Sequence, residues 1–371
     1  MAKRTVVLIG GGHAHIEVLR QRQRWCPPDV ELWLLDVNPH AVYSGSLPAV
    51  VAGHWPVDQC LINLPTLCEE LGVRWCQGRF LGLSADRSAI CLADGRQLKF
   101  DLASLDIGSV PSSSDIANSH HGITAKPALN FLQRWQQVAA EPLALEPRAA
   151  VVVGGGVAGV ELILAMRYRL HQLWGDRLRD WRWHLCSSGP LLSGHNRWVR
   201  ARARRELNRA GVEYHDAAKV RQLGPASVIL ESGREIPSGF TLLCTPAAPP
   251  QSLGASRLPR DPAGFVPVDQ YLRVTGFQNL FAVGDIAAFP RPLDKAGVYA
   301  VRQGPLLAAN LGATLSGAGQ AAFRPQRQYL KLITLGEPRA MASRGWLYAH
   351  GHWVWRWKQH IDEKFVERYR V

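Results

Sequence analysis

Two glycine-rich turns, each set between an apolar strand and a segment of helical period, constrain this chain more than any other feature. The stronger lies in AAVVVGGGVAGVELILAM, residues 149–166, where Gly154, Gly156 and Gly159 hold all three positions of a GxGxxG fingerprint. The first glycine permits the tight turn, the second lets the backbone approach a pyrophosphate, and the third lets helix and strand pack closely. The helix N-terminus then offers N–H groups and its positive end to the anion. The other turn opens the chain. TVVLI, residues 5–9, reads as a buried strand, and HIEVLRQRQ continues at helical period. Gly10 and Gly12 hold the first two fingerprint positions, but His15 stands at the third, where a small residue normally packs. The next strand, VELWLLD, ends in Asp36, a carboxylate suited to accepting hydrogen bonds from a ribose. Two such turns predict an α/β chain with two Rossmann-like dinucleotide-binding domains.

The strand after the second turn, WRWHLCSSG, ends in Cys186, Ser187 and Ser188, with no carboxylate for a ribose 2′-hydroxyl. Arg197, Arg200 and Arg202 follow, which suits a 2′-phosphate and favours NADPH over NADH. A site that has lost nucleotide binding is the competing reading of the missing acid. A late strand, NLFAVGD, ends in Gly284 and Asp285. It resembles the motif by which flavoproteins with two dinucleotide-binding domains return the chain to the first domain, the aspartate accepting ribitol hydroxyls. LASLDIGSVPS, residues 102–112, resembles the crossover turn of the same proteins through Asp106, Ile107, Gly108 and Ser109.

The order of these motifs resembles the FAD-dependent pyridine nucleotide–disulfide oxidoreductases, nearest to type II NADH dehydrogenases and sulfide:quinone reductases. More closely it is similar to the flavoprotein domain found fused ahead of selenide, water dikinase. GGGHAHIEVL, YSGSLPAVVAGHW, DLASLDIGS, KAGVYAVRQGP and WRWKQHIDEKF carry that likeness across nearly the whole chain. It implies FAD in a discontinuous domain, residues 1–125 and 275–315, NAD(P)H in residues 126–274, and a C-terminal cap over 316–371. It implies hydride transfer from NAD(P)H to flavin and electron release to a small-molecule acceptor, with a quinone among the candidates. An FAD-containing redox partner or sensor of selenide, water dikinase, without nicotinamide turnover, is the alternative.

The likeness directs attention to particular side chains. His13 and His15 belong to its glycine-loop pattern; either contacts the FAD pyrophosphate or serves packing alone, and residues two apart at a helix start make a poor metal clamp. Ser44 and Ser46 lie where the family brings a loop across the flavin. Lys126 and Lys295 are rare lysines in an arginine-rich chain, suited to stabilising a reduced flavin anion or orienting a substrate. After Ala296 a helix begins whose positive end faces the flavin pyrimidine, and its Gln303 matches a quinone-side glutamine of the type II dehydrogenases.

Other chemistry is disfavoured. The seven cysteines form no CxxC pair, which argues against a redox disulfide and a zinc cluster, and no metal site is expected. The formal charge of +13 could serve anionic cofactors or an anionic surface, but no basic repeat or helix-turn-helix supports nucleic acid. With no apolar run long enough to span a bilayer and no secretory leader, a cytoplasmic location is expected. Residues 346–371 concentrate tryptophan with Arg356, Lys358, Lys364, Arg368 and Arg370. There Val354, Trp357, Ile361, Phe365 and Tyr369 predict one apolar stripe, packed on the protein or laid on a membrane surface.

Overall fold

The computed structural model describes residues 3–326 and 328–369. Its parallel strands, numbered in chain order, are β1 Arg4–Ile9, β2 Val30–Asp36, β3 Arg74–Gln77, β4 Leu102–Leu105, β5 Ile123–Thr124, β6 Ala149–Val153, β7 Arg182–Cys186, β8 Val212–His215, β9 Phe240–Leu243 and β10 Leu280–Ala282. The helices that shape the site are α1 His13–Arg20, α2 Val157–Trp174, α3 Arg197–Arg209, α4 Gly297–Ser316 and α5 His352–Glu367.

Two parallel sheets result. One runs β10-β4-β1-β2-β3, the other β5-β9-β6-β7-β8. The central strands are apolar on both faces, as a covered parallel strand must be. Val6, Val7, Leu8 and Ile9 are all buried, as are all five residues of β6. Each central strand pairs with a later strand on either side: Ile9 sits between Leu35 and Leu105, and Val153 between Cys186 and Leu243. That reversal of strand order opens a crevice beyond the carboxyl end of the strand. Both glycine turns lie at such a point.

Each parallel sheet carries a three-stranded antiparallel layer, residues 80–99 in the first unit and 220–237 in the second. β10 returns the chain to the first sheet, pairing Leu280, Phe281 and Ala282 with β4. Sheet membership departs slightly from the expected boundaries. Ile123–Thr124 already pairs with β9, and Val266–Pro267 already pairs with Ala287–Ala288 ahead of the return. In the interior, α1 lies against α4 at Gly304, where a Cβ would stand 2.9 Å from the Ala14 carbonyl oxygen and 2.6 Å from the Glu17 side chain.

The C-terminal segment forms an antiparallel sheet, Lys331–Leu335, Glu337–Arg344 and Leu347–Gly351, followed by α5. The predicted stripe on α5 is corrected. Val354, Phe365 and Tyr369 are buried, but Trp357 and Ile361 are exposed, along with Trp353 and Trp346. Lys358, expected on a solvated basic face, is buried beside Asp362, its Nζ 2.6 Å from the carboxylate and 2.7 Å from the Gly45 carbonyl oxygen. The ion pair lets two charges that periodicity assigns to water lie buried together, so the buried face turns toward it. Arg370 lies outside the described residues.

Candidate active site

At the first turn, Gly10 has φ +94°, and a Cβ there would collide with the Asp106 carbonyl oxygen. Asp106, the first residue after β4, lays its carboxyl group over the N-terminus of α1. Its Oδ2 accepts N–H bonds from Ala14 at 2.9 Å and His15 at 3.2 Å. A Cβ on Gly12 or Gly284 would run into that carboxyl group, so one fingerprint glycine and the glycine of the late motif make room for it. Burial lifts Asp106 to about 7; the two N–H bonds oppose the rise, and Asp285 and Asp36 add to it. Sequence position places Asp106 only in a crossover turn. Its signal is a carboxylate where the crossover motif usually has a small residue. Among the described residues, the N–H groups of Gly12 and His13 have no hydrogen-bond partner, so the helix end is only partly capped.

The two histidines part company. His15 is sealed beneath the turn, with Nδ1 2.7 Å from the Gly10 carbonyl oxygen and Nε2 2.8 Å from Ser104 Oγ. Both ring nitrogens are therefore committed to the fold, and the reading of His15 as a cofactor contact gives way to the packing one. Its imidazole joins the glycine loop to β4, which explains a histidine at the small-residue position. Burial holds it neutral, at about 3. His13 instead faces a cavity, and its buried Nε2 has no partner among the described residues. Burial and then Lys126 bring it down to about 4, against the pull of Asp285, so the ring is neutral.

Three predicted residues from distant parts of the chain converge next. Asp285 Oδ2 accepts from Lys126 Nζ at 2.7 Å and from Ser109 Oγ at 2.9 Å. Burial alone would raise the Asp285 carboxyl; the Lys126 ammonium, with both hydrogen bonds, outweighs it and holds the group below its ordinary value. Asp36 accepts from Gly11 N–H at 2.6 Å and Asn38 N–H at 2.8 Å, fixing the end of β2 against the turn. Lys295 Nζ donates to the Ala287 carbonyl oxygen at 2.7 Å and stands 3.9 Å above the Phe265 ring. Burial lowers its basicity.

The cavity, about 1520 Å³, reaches from His13 to the second glycine turn. Of the predicted residues, His13, Ser44, Lys126, Gly154, Gly156, Ser187 and Lys295 line it. Gly10, Gly12, Asp36, Gly108, Ser109, Ala296, Gly284 and Asp285 are not among the residues that line it. Ser46 is fully buried and its hydroxyl donates to the Tyr43 carbonyl oxygen, a turn-holding role in place of the expected contact across the flavin. Gly159 serves packing, since a Cβ there would strike the Gly154 carbonyl oxygen. A Cβ on Gly156 would meet only open space. Gln303 is buried with its Oε1 accepting the Gly284 N–H at 2.6 Å, so it holds the fold and does not face the cavity.

The second nucleotide end also differs from expectation. Arg202 pairs with Glu206 at 2.7 Å and Arg197 stacks on Trp198, and none of Arg197, Arg200 and Arg202 lines the cavity. Lys219 does, its Nζ 2.7 Å from Glu231 Oε1, as do Ser187 and Ser188. Sequence position favours the arginines because it does not show that α3 keeps all three out of the cavity, Arg202 being half-buried against Glu206. Cys186 and Cys244 also line the cavity, but burial pushes both thiols up to about 12, so neither is a thiolate at neutral pH.

Residues that the sequence did not assign to the site close the cavity. Tyr43 and Phe365 stack at 4.2 Å between ring centroids, with the His13 ring 5.6 Å from the first and 5.7 Å from the second. The Tyr43 hydroxyl donates to Asp362 at 3.1 Å, and the Tyr369 hydroxyl to Glu17 at 2.6 Å. α5 therefore clamps the Tyr43–Ser46 loop over the first turn. Among the described residues, no helix is long and apolar enough to cross a membrane.

Residues 4–310 match the family described as pyridine nucleotide-disulphide oxidoreductase. The chain is 26% identical over 336 residues to a NADH dehydrogenase-like protein of Mycobacterium tuberculosis, covering 82% of each chain. It is 29% identical over 197 residues to the mitochondrial internal alternative NAD(P)H-ubiquinone oxidoreductase A1 of Arabidopsis thaliana, covering 51% of this chain and 38% of that one. The fold is similar to that of NDH2 from Plasmodium falciparum in complex with NADH, with a TM-score of 0.79 at 13% identity over 98% of both chains. None of the three is described as a partner of selenide, water dikinase.

Proposed function

The chain belongs to the pyridine nucleotide-disulphide oxidoreductase family and is an FAD- and NAD(P)H-dependent oxidoreductase, and from that premise we propose that it delivers electrons to a quinone. The observation that carries the reading is one continuous cavity that runs from His13 to the second glycine turn and, among the described residues, has no thiolate in its lining. When bound, FAD supplies hydride acceptance from the nicotinamide and release of electrons to a second substrate.

The residues fit such a group. The N–H groups of Gly12 and His13 and the positive end of α1 suit a pyrophosphate, and Asp36 keeps carboxylate lone pairs for a ribose. Asp285, braced by Ser109 and Lys126, suits hydroxyl groups of a ribitol chain. His13 Nε2, buried and unpartnered among the described residues, demands a polar ligand atom. Ser44, together with the N-terminal end of α4 just after Ala296, stands ready to orient a flat polar ring. At the other end, Gly154, Gly156 and the start of α2 suit the second pyrophosphate, with Ser187 beside its ribose. Lys126 and Lys295 put positive charge along the cavity wall, which stabilises negative charge on a reduced ring. The Tyr43–Phe365 stack excludes water from that side.

A quinone is supported by the printed name of the plant relative and by the missing thiolate. One face of α5 adds to it: Trp353, Trp357 and Ile361 are exposed beside exposed Arg356, Lys364 and Arg368, a composition that suits contact with an anionic lipid surface. Association with a selenide, water dikinase rests on sequence likeness alone and is tested by co-purification.

The test is an anaerobic titration of the flavin-loaded protein with NADPH and then NADH, followed by a short-chain ubiquinone or oxidised glutathione. Bleaching by a nicotinamide and recolouring by the quinone are expected. No bleaching by either nucleotide, or recolouring by the disulfide alone, refutes the proposal. Flotation with anionic vesicles, lost on Trp353→Ser with Trp357→Ser, tests the surface contact separately.

A further inference from the structure

Away from the cavity, three side chains on the second parallel sheet converge. His184 lies on β7, and Glu213 and His215 lie on the neighbouring edge strand β8. His184 is the register partner of Glu213, and His215 follows two residues later, so all three project from one face of the sheet. It is the face of Cys186, whose side chain packs with Val220, Val228 and Ile236 of the antiparallel layer. The two imidazoles are therefore buried at the edge of an apolar layer, while the Glu213 side chain stays half exposed at its rim.

The distances are specific. His184 Nδ1 is 3.1 Å from His215 Nε2, 3.5 Å from Glu213 Oε2, and His215 Nε2 is 3.6 Å from Glu213 Oε1. Zinc–nitrogen and zinc–oxygen bonds of about 2.0–2.1 Å at tetrahedral angles put neighbouring ligand atoms about 3.3 Å apart. The two nitrogens lie at that spacing and each is within 3.6 Å of a different oxygen of the one carboxylate, so a single ion could draw on both rings and on either oxygen, with one ligand atom from each residue lying within 4.8 Å of the others. We propose that His184, Glu213 and His215 form a binding site for a zinc-class divalent ion, with water at the fourth position.

Two further features support a metal over a plain imidazole–imidazole hydrogen bond. One hydrogen bond uses one proton between the rings, yet both nitrogens also stand within 3.6 Å of the same carboxylate, as ligands around a shared cation do. Both rings are also buried against the apolar layer, out of reach of most of the water that would otherwise hydrate them. Two imidazoles and one carboxylate match the donor set of zinc sites that keep an open position. The half-exposed carboxylate gives the ion a way in. Facing groups oppose it: Arg234 Nη2 lies 3.2 Å from Glu213 Oε1, and Arg182 is close enough to disfavour the charged form of His184. An entering ion would displace Arg234 from Glu213. The site also touches the nucleotide end, because the His215 carbonyl oxygen accepts the N–H of the cavity-lining Ser187 at 3.1 Å.

The experiment titrates the flavin-loaded, chelator-treated chain with Co2+, read by ligand-field absorption at wavelengths where oxidised flavin is transparent, and then displaces it with Zn2+. One equivalent with a tetrahedral spectrum is expected. His184→Ala and His215→Ala should each weaken binding more than about a hundredfold, beyond the roughly 10–100-fold typical of groups that only support a ligand. Glu213→Gln, a half-exposed change that leaves the fold intact, should weaken it at least about tenfold and alter the spectrum. His350→Ala with His352→Ala should change neither. Absence of stoichiometric binding overturns the proposal. So does a site that survives loss of both imidazoles, or one that is lost with His350 and His352.

Discussion

Replacing Asp106 with asparagine tests how the first glycine turn is built. In the folded chain burial lifts this carboxyl from an ordinary 3.8 to about 7. A carboxyl whose folded value is raised favours the folded state fully only below its unfolded value, and that advantage is lost as pH rises through the folded value. Ionising Asp106 in place therefore costs up to about 4 kcal/mol at pH 8, at about 1.4 kcal/mol per pH unit. At pH 5 the same linkage costs only about 2 kcal/mol, so Asp106 makes the native protein roughly 2–3 kcal/mol less stable at the higher pH. The substituted carboxamide cannot ionise but still offers an oxygen to Ala14 and His15. A chain of this length unfolds with an entropy of about 0.8 kcal/mol/K, so the difference corresponds to about 3 °C in Tm. Thermal scans of flavin-free wild type and Asp106→Asn at pH 5 and pH 8 make the measurement. The variant should gain about 3 °C on the wild type between the two pH values, all other titrations being common to both. An equal Tm difference at both pH values would refute the claim that Asp106 is a carboxyl held near its neutral form at the helix end.

Gly156→Ala should leave Tm within about 1–2 °C, because its Cβ meets open space, yet raise KM for the nicotinamide at least about tenfold by filling the approach to a pyrophosphate; an unchanged KM would remove the second turn from the site. Lys219→Ala should raise KM for NADPH severalfold and leave KM for NADH alone, because Lys219, paired with Glu231 in the free chain, is a cation in the same cavity wall as Ser187; equal effects on both would deny it a 2′-phosphate. Lys358→Met should destabilise by about 3–5 kcal/mol by stranding the buried Asp362 charge, and adding Asp362→Leu should recover most of the loss. Denaturant midpoints decide it, and no recovery in the double variant would mean that packing, not charge, dominates there.

Local pattern was enough for the elements and their order. The glycine spacing at Gly154, Gly156 and Gly159, the apolar runs of β1 and β6, and the late Gly284–Asp285 pair each depend on short-range geometry. A strand, a tight turn and a helix leave the same trace wherever they occur, so two parallel sheets could be read directly, while the returning strand was legible through its resemblance to the late motif of two-domain flavoproteins. Periodicity also located α5, but it could not orient that helix. Hydrophobicity assigns Lys358 and Asp362 to water, whereas in the fold they neutralise each other, and the helix turns Trp357 and Ile361 outward instead.

Only the tertiary structure decided which polar groups meet. His13 and His15 are two residues apart and chemically identical, yet one opens on the cavity and the other is spent between Gly10 and Ser104. Lys126, Ser109 and Asp285 are read singly from three separate motifs; Ser109 meets Asp285 because β4 and β10 are neighbours in one sheet, and Lys126 reaches the same carboxylate from the end of β5 in the other sheet. Gln303 reads as available for a substrate, but the fold commits it to the Gly284 N–H. His184, Glu213 and His215 give no signal in sequence, since His184 lies on a different strand from the other two and their approach follows from the parallel register of β7 and β8. The sequence determined the elements because backbone preference and burial period act over a few residues. The pairing of charges and imidazoles is a property of strand order and register, which act over the whole chain.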